Sequence, residues 1–210
     1  VANGVQPGER IAIMSRNRYE WTLVDYAIWY AGAVSVPVYE TSSAEQVEWI
    51  LTDSNAVAVF LESHKNKQVF DEVSVNVPEC TRVWVFDDSV IDAIKADGVD
   101  VTDAAIEERR ATVNPDSLAT IIYTSGTTGR PKGCVLTQRA FMFEVDNVVE
   151  GLGDVFLAPG SSTLLFLPVA HVFGRMVQLG CVRARARLGH AADIKDLLPM
   201  LATFQPTFVL

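Results

Sequence analysis

Ile121-Ile-Tyr-Thr-Ser-Gly-Thr-Thr-Gly-Arg-Pro-Lys-Gly-Cys-Val-Leu-Thr137 decides how this chain is read. An apolar, β-favouring run from Leu118 to Tyr123 leads into hydroxyls and glycines, and the apolar run resumes at Cys134-Val135-Leu136. That pattern predicts strand, loop, strand. The loop offers the hydroxyls of Thr124, Ser125, Thr127 and Thr128 and the glycines Gly126, Gly129 and Gly133. Glycine permits positive φ and lets a ligand approach the main chain. Successive exposed N–H groups in such turns make an anion-binding nest. Lys132 adds a point charge suited to phosphate, and Arg130 a second. The stretch holds no good base or nucleophile, so it reads as a polyphosphate clamp.

A Walker A loop does not fit. It needs Gly-x-x-x-x-Gly-Lys-Ser/Thr opening a helix. Counted from Gly126, the second glycine position holds Pro131, and Gly133 follows Lys132. Pro131 also blocks a helix there. An ordinary surface loop, also rich in Gly, Ser and Thr, is disfavoured because hydroxyls, glycines and Lys132 sit together between two apolar runs.

Upstream, strands alternate with helices. Arg10–Ser15 reads as a strand, and Asn17 as the cap of a helix over Arg18–Ala31, with Trp21, Val24, Ile28 and Trp29 at helical spacing. Val34–Tyr39 is the next strand. Ser42 or Ser43 caps a helix carrying Val47, Ile50 and Leu51 inward, and Ala56–Leu61 is a nearly continuous apolar strand. A helix over His64–Val73 and a strand over Arg82–Phe86 follow. The alternation predicts an α/β fold with a mostly parallel sheet and flanking helices. Residues 87–116 are acidic, with short helices at Val90–Lys95 and Ala104–Arg110.

Downstream, Thr137 caps a helix to about Glu150 with Phe141, Val145 and Val148 on one face. Thr163–Leu167 is a strand, and a short helix after His171 runs to about Leu179. Arg183, Arg185 and Arg187 alternate with Ala184, Ala186 and Leu188, which predicts a half-buried strand with a solvated basic face. Asp193 caps a last helix to about Phe204, and a terminal strand begins at Thr207.

The chain has 210 residues, 49% of them hydrophobic, and a net charge of −9. Its length and composition suit one folded domain or part of a larger one. Residues 1–110 hold 19 Asp/Glu and 9 Lys/Arg, while residues 111–210 hold 7 and 8. The half with the loop is the less acidic, as an anionic ligand favours. The overall acidity argues against nucleic acid as a partner. Cys80, Cys134 and Cys181 are too scattered for a disulfide framework or a metal-ligand spacing, which fits a reducing cytosol. No apolar run reaches the length of a transmembrane span, and no signal peptide opens the chain. The chain starts at Val1 without Met and stops inside the apolar run Thr207–Leu210, which predicts a fragment, prone to aggregate when isolated.

The segment Tyr123–Gly133 resembles the signature loop of adenylate-forming enzymes: acyl-CoA synthetases, peptide-synthetase adenylation domains and firefly luciferase. Leu167-Pro-Val-Ala-His-Val-Phe-Gly-Arg175 resembles the next motif of that family. Ser15-Arg-Asn-Arg-Tyr-Glu-Trp21 and Ala33-Val-Ser-Val-Pro-Val-Tyr-Glu40 resemble its long-chain acyl-CoA synthetase branch. The resemblance implies layered sheets of mostly parallel strands with flanking helices, as part of the large N-terminal domain of an adenylate-forming enzyme. Residues 1–113 would be a first α/β subdomain and 114–210 the start of the next part. The small C-terminal domain, the adenine motif, the Mg²⁺-binding Glu and a catalytic Lys would lie beyond Leu210.

The resemblance also implies roles. Thr124, Ser125, Gly126, Thr127, Thr128, Gly129 and Lys132 would close over the β- and γ-phosphates of ATP, with Mg²⁺ bridging phosphate oxygens. His171 would lie near the acyl carboxylate. Phe173, Gly174 and Met176 would help form the fatty-acyl tunnel, although many relatives carry Glu where this chain has Gly174. Gln138 stands where His is common in the family and reads as a helix-start residue. By spacing alone, a lone histidine such as His171 is more often a structural residue, and Phe173, Gly174 and Met176 suit ordinary helix core. The implied reaction joins a long-chain fatty acid to ATP, giving acyl-AMP and pyrophosphate, and then to coenzyme A, in a cytoplasmic protein whose peripheral contact with a membrane stays open. An acyl-AMP ligase, a non-catalytic acyl- or nucleotide-binding module and a phosphotransferase stay open as alternatives.

Overall fold

In β1, Arg10–Met14, alternate side chains enter different cores. Ile11 and Ile13 pack with α1, Tyr19–Tyr30, while Ala12 and Met14 pack with α2, Ala44–Ser54, on the other side. The period of two along a strand places these pairs on opposite faces of a sheet. Ala58 and Phe60 join the first core, and Val59 and Leu61 the second, from β3, Ala56–Leu61. Both faces are covered, which is why these strands read as unbroken apolar runs. The computed structural model describes residues 1–124 and 130–210.

The main sheet has the order β4-β3-β1-β2-β5-β6, with β2 at Val34–Val38, β4 at Arg82–Val85, β5 at Leu118–Thr124 and β6 at Lys132–Thr137. Strands β1 to β5 pair in parallel, and β5 and β6 form an antiparallel hairpin. The chain starts in the middle, lays β2 on one side of β1, and then crosses to lay β3 on the other. Such a reversal of strand order is where open α/β sheets hold ligands, at the C-terminal strand ends. A second parallel pair is made by β7, Ser162–Leu165, and β8, Arg187–His190.

Pairing between β2 and β5 is limited to Ser35 opposite Thr120. Two residues on, Pro37 has no N–H to donate, so the ladder cannot simply continue. Side chains tie the strands instead: the Thr120 hydroxyl donates to Ser35 O (2.7 Å) and the Ser35 hydroxyl to Ala119 O (3.4 Å), while Trp29 Nε1 of α1 also donates to Ala119 O (2.7 Å).

The connecting helices are α3, His64–Asp71; α4, Val90–Asp97; α5, Asp103–Ala111; α6, Gln138–Gly151; and α7, Gly153–Phe156. Then come α8, Val172–Ala184, and α9, Leu197–Phe204. Of the two candidate caps for α2, Ser43 forms the capping box with Gln46. Thr137 caps α6, whose Phe141, Val145 and Val149 are buried.

Three expectations are corrected. Asn17 does not cap α1: the cap residue is Arg18, and the buried Asn17 side chain bonds the distant backbone of Leu165, Leu167 and Val169. Residues 182–186 are not strand. The helix α8 runs on to Ala184 and ends on Arg185 in the left-handed region at φ 57°. Arg and Ala both favour helix, so their alternation carried no strand signal, and Arg183 instead pairs with Asp146 of α6 at 2.8 Å. Thr207–Leu210 forms no strand either. The N–H groups of Thr207 and Phe208 converge on the single carbonyl of Ser162, at 2.9 and 3.2 Å, instead of alternating along a ladder.

One buried polar chain links the two sheets. His190 Nε2 lies 3.0 Å from the Thr22 hydroxyl, which donates to Gln178 Oε1 (3.0 Å). Gln178 Nε2 donates to Asp25 Oδ2 (3.3 Å), which also accepts from Arg175 (2.6 Å). Arg175 reaches Thr120 Oγ1 of β5 at 2.7 Å. Asp25 and Arg175 are fully buried, and Trp21, Trp29 and Phe141 surround the guanidinium carbon at 5.2–5.3 Å from their ring centres. Burial pushes the Asp25 carboxyl up, against Arg175, Ser35 and Gln178, which hold it down.

Candidate functional site

A cleft of about 370 Å³ opens where β2 and β5 separate. Its walls include Pro37 and Tyr39 after β2, Thr124 at the end of β5, Pro131 and Cys134 of the hairpin, and His171 before α8. Two motifs that lie far apart in sequence thus face one space. Ser125, Gly126, Thr127, Thr128 and Gly129 lie outside the described residues, so of the expected clamp only the two ends are described. Those ends face each other, with Thr124 opposite Lys132 in the ladder. Both are exposed, and Lys132 adjoins the lining residue Pro131.

The hairpin is pinned on both sides by α2. Before the loop, the Tyr123 hydroxyl donates to Asp53 Oδ2 at 2.6 Å. Burial, and then Asp53, push that phenol's pKa well up, so Tyr123 stays a neutral donor. After the loop, Trp49 Nε1 donates to Pro131 O at 2.7 Å, and the Arg130 guanidinium stacks on the Trp49 ring at 4.9 Å. Arg130, the second of the two cations expected to bind phosphate, thus rests on an indole, and both it and Lys132 are exposed.

Gly133 is not at positive φ. A Cβ there would meet Ile121 Cγ2 at 2.8 Å and the Tyr123 ring at 3.2 Å, so glycine supplies lateral space for the neighbouring strand.

His171 caps α8. Its Nδ1 accepts from Phe173 N–H at 3.2 Å, so in the neutral ring the proton sits on Nε2, free to donate to a ligand in the cleft. Phe173 is 51% exposed, and neither it nor Gly174 lines this cleft. A Cβ on Gly174 would clash with the Pro168 and Leu167 carbonyl oxygens, so only glycine fits this backbone.

Sequence reading missed Trp49, Asp53 and the true partner of Asn17. The first two lie on a helix whose apolar spacing says only that one face is buried, and their polar atoms bond elements 70 to 82 residues away. Among the described residues, no group of three or more His, Cys, Asp or Glu side chains could hold a metal ion.

The chain is similar to known proteins along its whole length. Long-chain-fatty-acid–CoA ligase FadD15 of Mycobacterium tuberculosis is 43% identical over 212 residues, covering 100% of this chain and 35% of that protein. Long-chain-fatty-acid–CoA ligase 1 of Homo sapiens is 29% identical over 96% of this chain and 31% of its own length. The chain thus spans about a third of the length of the curated relatives it matches. Among solved structures, a long-chain-fatty-acid–CoA ligase of Archaeoglobus fulgidus superposes with a TM-score of 0.77 at 22% identity, over 99% of this chain and 40% of that one. An o-succinylbenzoate coenzyme A synthetase of Bacillus subtilis, in complex with ATP and magnesium ion, superposes at 0.73 and 19% identity, over 99% of this chain and 51% of that one. At those identities the likeness is one of fold. The family model for the AMP-binding enzyme matches residues 1–210 throughout, and the chain belongs to that family.

Proposed function

We propose that this chain is part of an ATP-dependent long-chain fatty acid–CoA ligase. One observation carries the reading: the ends of the hydroxyl- and glycine-rich loop and the capping histidine of α8 line one cleft, in a chain 43% identical to such a ligase. In the first step a fatty carboxylate oxygen attacks the α-phosphorus of ATP, and the bond to the bridging oxygen of pyrophosphate breaks. In the second, coenzyme A thiolate attacks the acyl carbonyl and AMP leaves. A carboxylate is already a nucleophile, so the protein's part is positioning and charge stabilisation. Lys132, the Thr124 hydroxyl and the loop residues Ser125 to Gly129 act on the phosphates. His171, donating from Nε2, orients the carboxylate. Phe173 and Gly174 are assigned to the acyl side by the resemblance alone. The division of the chain at residues 113 and 114 belongs to the same reading.

Among the described residues no helix is long and apolar enough to cross a membrane. The reading places the protein in the cytoplasm and leaves peripheral contact with a membrane open. The test is product release by the intact protein across fatty acids of increasing length, with and without coenzyme A. Pyrophosphate release that depends on fatty acid, with acyl-CoA formed when coenzyme A is present, is the expected result. Release of orthophosphate, or release indifferent to fatty acid, overturns the reading. Pyrophosphate release with no acyl-CoA product reassigns the protein as an acyl-AMP ligase.

A further inference from the structure

We infer that Asn17 is a positioning residue for His171, holding the backbone that delivers the imidazole to the cleft. The inference rests on the reading of His171 as the donor to the carboxylate.

His171 sits at the end of a stretch without regular structure, residues 166–171, between β7 and α8. Such a stretch has no ladder or helix to fix it, and its polar backbone groups need partners. Asn17 supplies them. Its Nδ2 donates to Leu165 O (3.2 Å) and Leu167 O (2.9 Å), and its Oδ1 accepts from Val169 N (3.0 Å). Two carbonyls and one N–H fix the orientation of the amide, and every donor of the side chain is used. Asn17 is 5% exposed and 152 residues from Val169 in sequence, so the clamp is tertiary and largely buried.

The opposite side of the same backbone is closed by Gly174. A Cβ there would stand 2.8 Å from Leu167 O and 2.3 Å from Pro168 O. Leu167 is therefore held between the Asn17 amide and the Gly174 backbone. His171 N then donates to Pro168 O at 3.0 Å, and the imidazole folds back to cap α8.

Asn17 is itself held from the sheet. Arg16 N and Nε donate to the two oxygens of Glu62, each at 2.8 Å, and Glu62 N donates to Met14 O at 2.9 Å. The loop after β1 is thus fixed to the end of β3 before it reaches across to β7. Polar atoms arranged this way transmit a position rather than contact a substrate.

The experiment uses the intact protein with Asn17→Ala, Asn17→Asp, His171→Ala and the two double variants. Asn17→Asp keeps the size and the acceptor and removes both donors. The measurement is fatty-acid-dependent adenylation at saturating ATP, read beside the KM for ATP and the melting temperature. Misplacing a group by an ångström costs up to about a hundredfold in rate. We expect each Asn17 variant to lose about tenfold or more in kcat with an unchanged KM for ATP, and to add no further loss when His171 is already alanine. A loss that adds in full to that of His171→Ala overturns the inference, as does wild-type turnover in both Asn17 variants. Failure of both variants to fold overturns it too, because Asn17 is then a structural residue. If His171→Ala itself turns over normally, the reading of His171 falls and the inference with it. That outcome differs from one in which His171→Ala is impaired and the Asn17 variants are not.

Discussion

Trp49 donates from Nε1 to the carbonyl oxygen of Pro131 across 2.7 Å, and the same ring carries the Arg130 guanidinium at 4.9 Å. One helical side chain thus fixes the chain at Arg130 and Pro131 by a hydrogen bond and a cation–π contact. Replacing it with phenylalanine keeps a ring for Arg130 and removes the donor. An intramolecular hydrogen bond contributes about 1 kcal/mol to stability, so Trp49→Phe is expected to fold. Its adenylation rate should fall several-fold through loss of loop position. Trp49→Ala should fall further. Fatty-acid-dependent pyrophosphate release by the intact protein checks both, and wild-type release from Trp49→Ala would remove Trp49 from the site.

Lys132 is an exposed charge of the hairpin, opposite Thr124. Losing one donor to charge that develops on a transferring group costs about 3 kcal/mol, roughly a hundredfold. Lys132→Ala, and Thr128→Val within the loop, should each slow adenylate formation on that scale, with the melting temperature near that of the wild type. Normal pyrophosphate release from both variants would sink the assignment of this loop to phosphate.

The sheet was legible in sequence. Strands such as Ala56–Leu61 announce themselves because burial on both faces demands unbroken apolar residues. The hairpin around residues 124–132 was legible as strand, loop, strand, and the phosphate role proposed for its loop rests on residue types that few other tasks require together. Contacts across the fold left no such mark. Asn17 precedes an amphipathic helix, where asparagine is a common cap, and nothing local says that its amide turns to Val169 instead. The strand expected at Val182–Leu188 came from an accidental period of two. Helix α8 continues through this stretch to Ala184, and Arg183 pairs with Asp146 of α6.

The pair Asp25 and Arg175 has no exposed surface, and it joins α1 to α8 under the cleft-forming strands. Removing one partner leaves the other charge buried and uncompensated, at a cost of about 3–5 kcal/mol. Asp25→Ala is therefore expected to destabilise on that scale in urea denaturation. Pairing it with Arg175→Met should recover a large part of the loss, because two apolar groups of similar volume tolerate this site better than one lone charge. If the double variant is as unstable as the sum of the singles, the pair does not act as a unit.

Gly133 and Gly174 separate two meanings of glycine. Alanine at Gly133 meets a methyl and an aromatic ring, side chains that shift, so a loss of about 1–3 kcal/mol is expected. Alanine at Gly174 meets two backbone carbonyl oxygens, which are fixed by Asn17 and by the turn at His171. Gly174→Ala should therefore be the more damaging to adenylation, measured per folded molecule. The reverse order would show that the corner before α8 yields more easily than the hairpin.

His190 ends the polar chain that crosses the core, with Nε2 at 3.0 Å from Thr22 Oγ1. The Thr22 hydroxyl gives its proton to Gln178, so His190 must be the donor in that contact, as a neutral ring protonated on Nε2 permits. Burial lowers the His190 pKa below its ordinary 6.5, opposed by the Glu20 charge. Between the lowered folded value and 6.5, the unfolded chain binds the extra proton and the folded chain does not. Stability then rises with pH across that window and falls as pH drops through it. One proton contributes at most about 1.4 kcal/mol per pH unit. Urea denaturation from pH 7.5 to 5 should therefore show a loss of stability beginning near pH 6.5, on top of the carboxylate titrations. His190→Gln removes the titrating group and should flatten that portion of the curve, whatever its effect on stability at pH 7.5. An unchanged slope in the variant would place the acid sensitivity elsewhere.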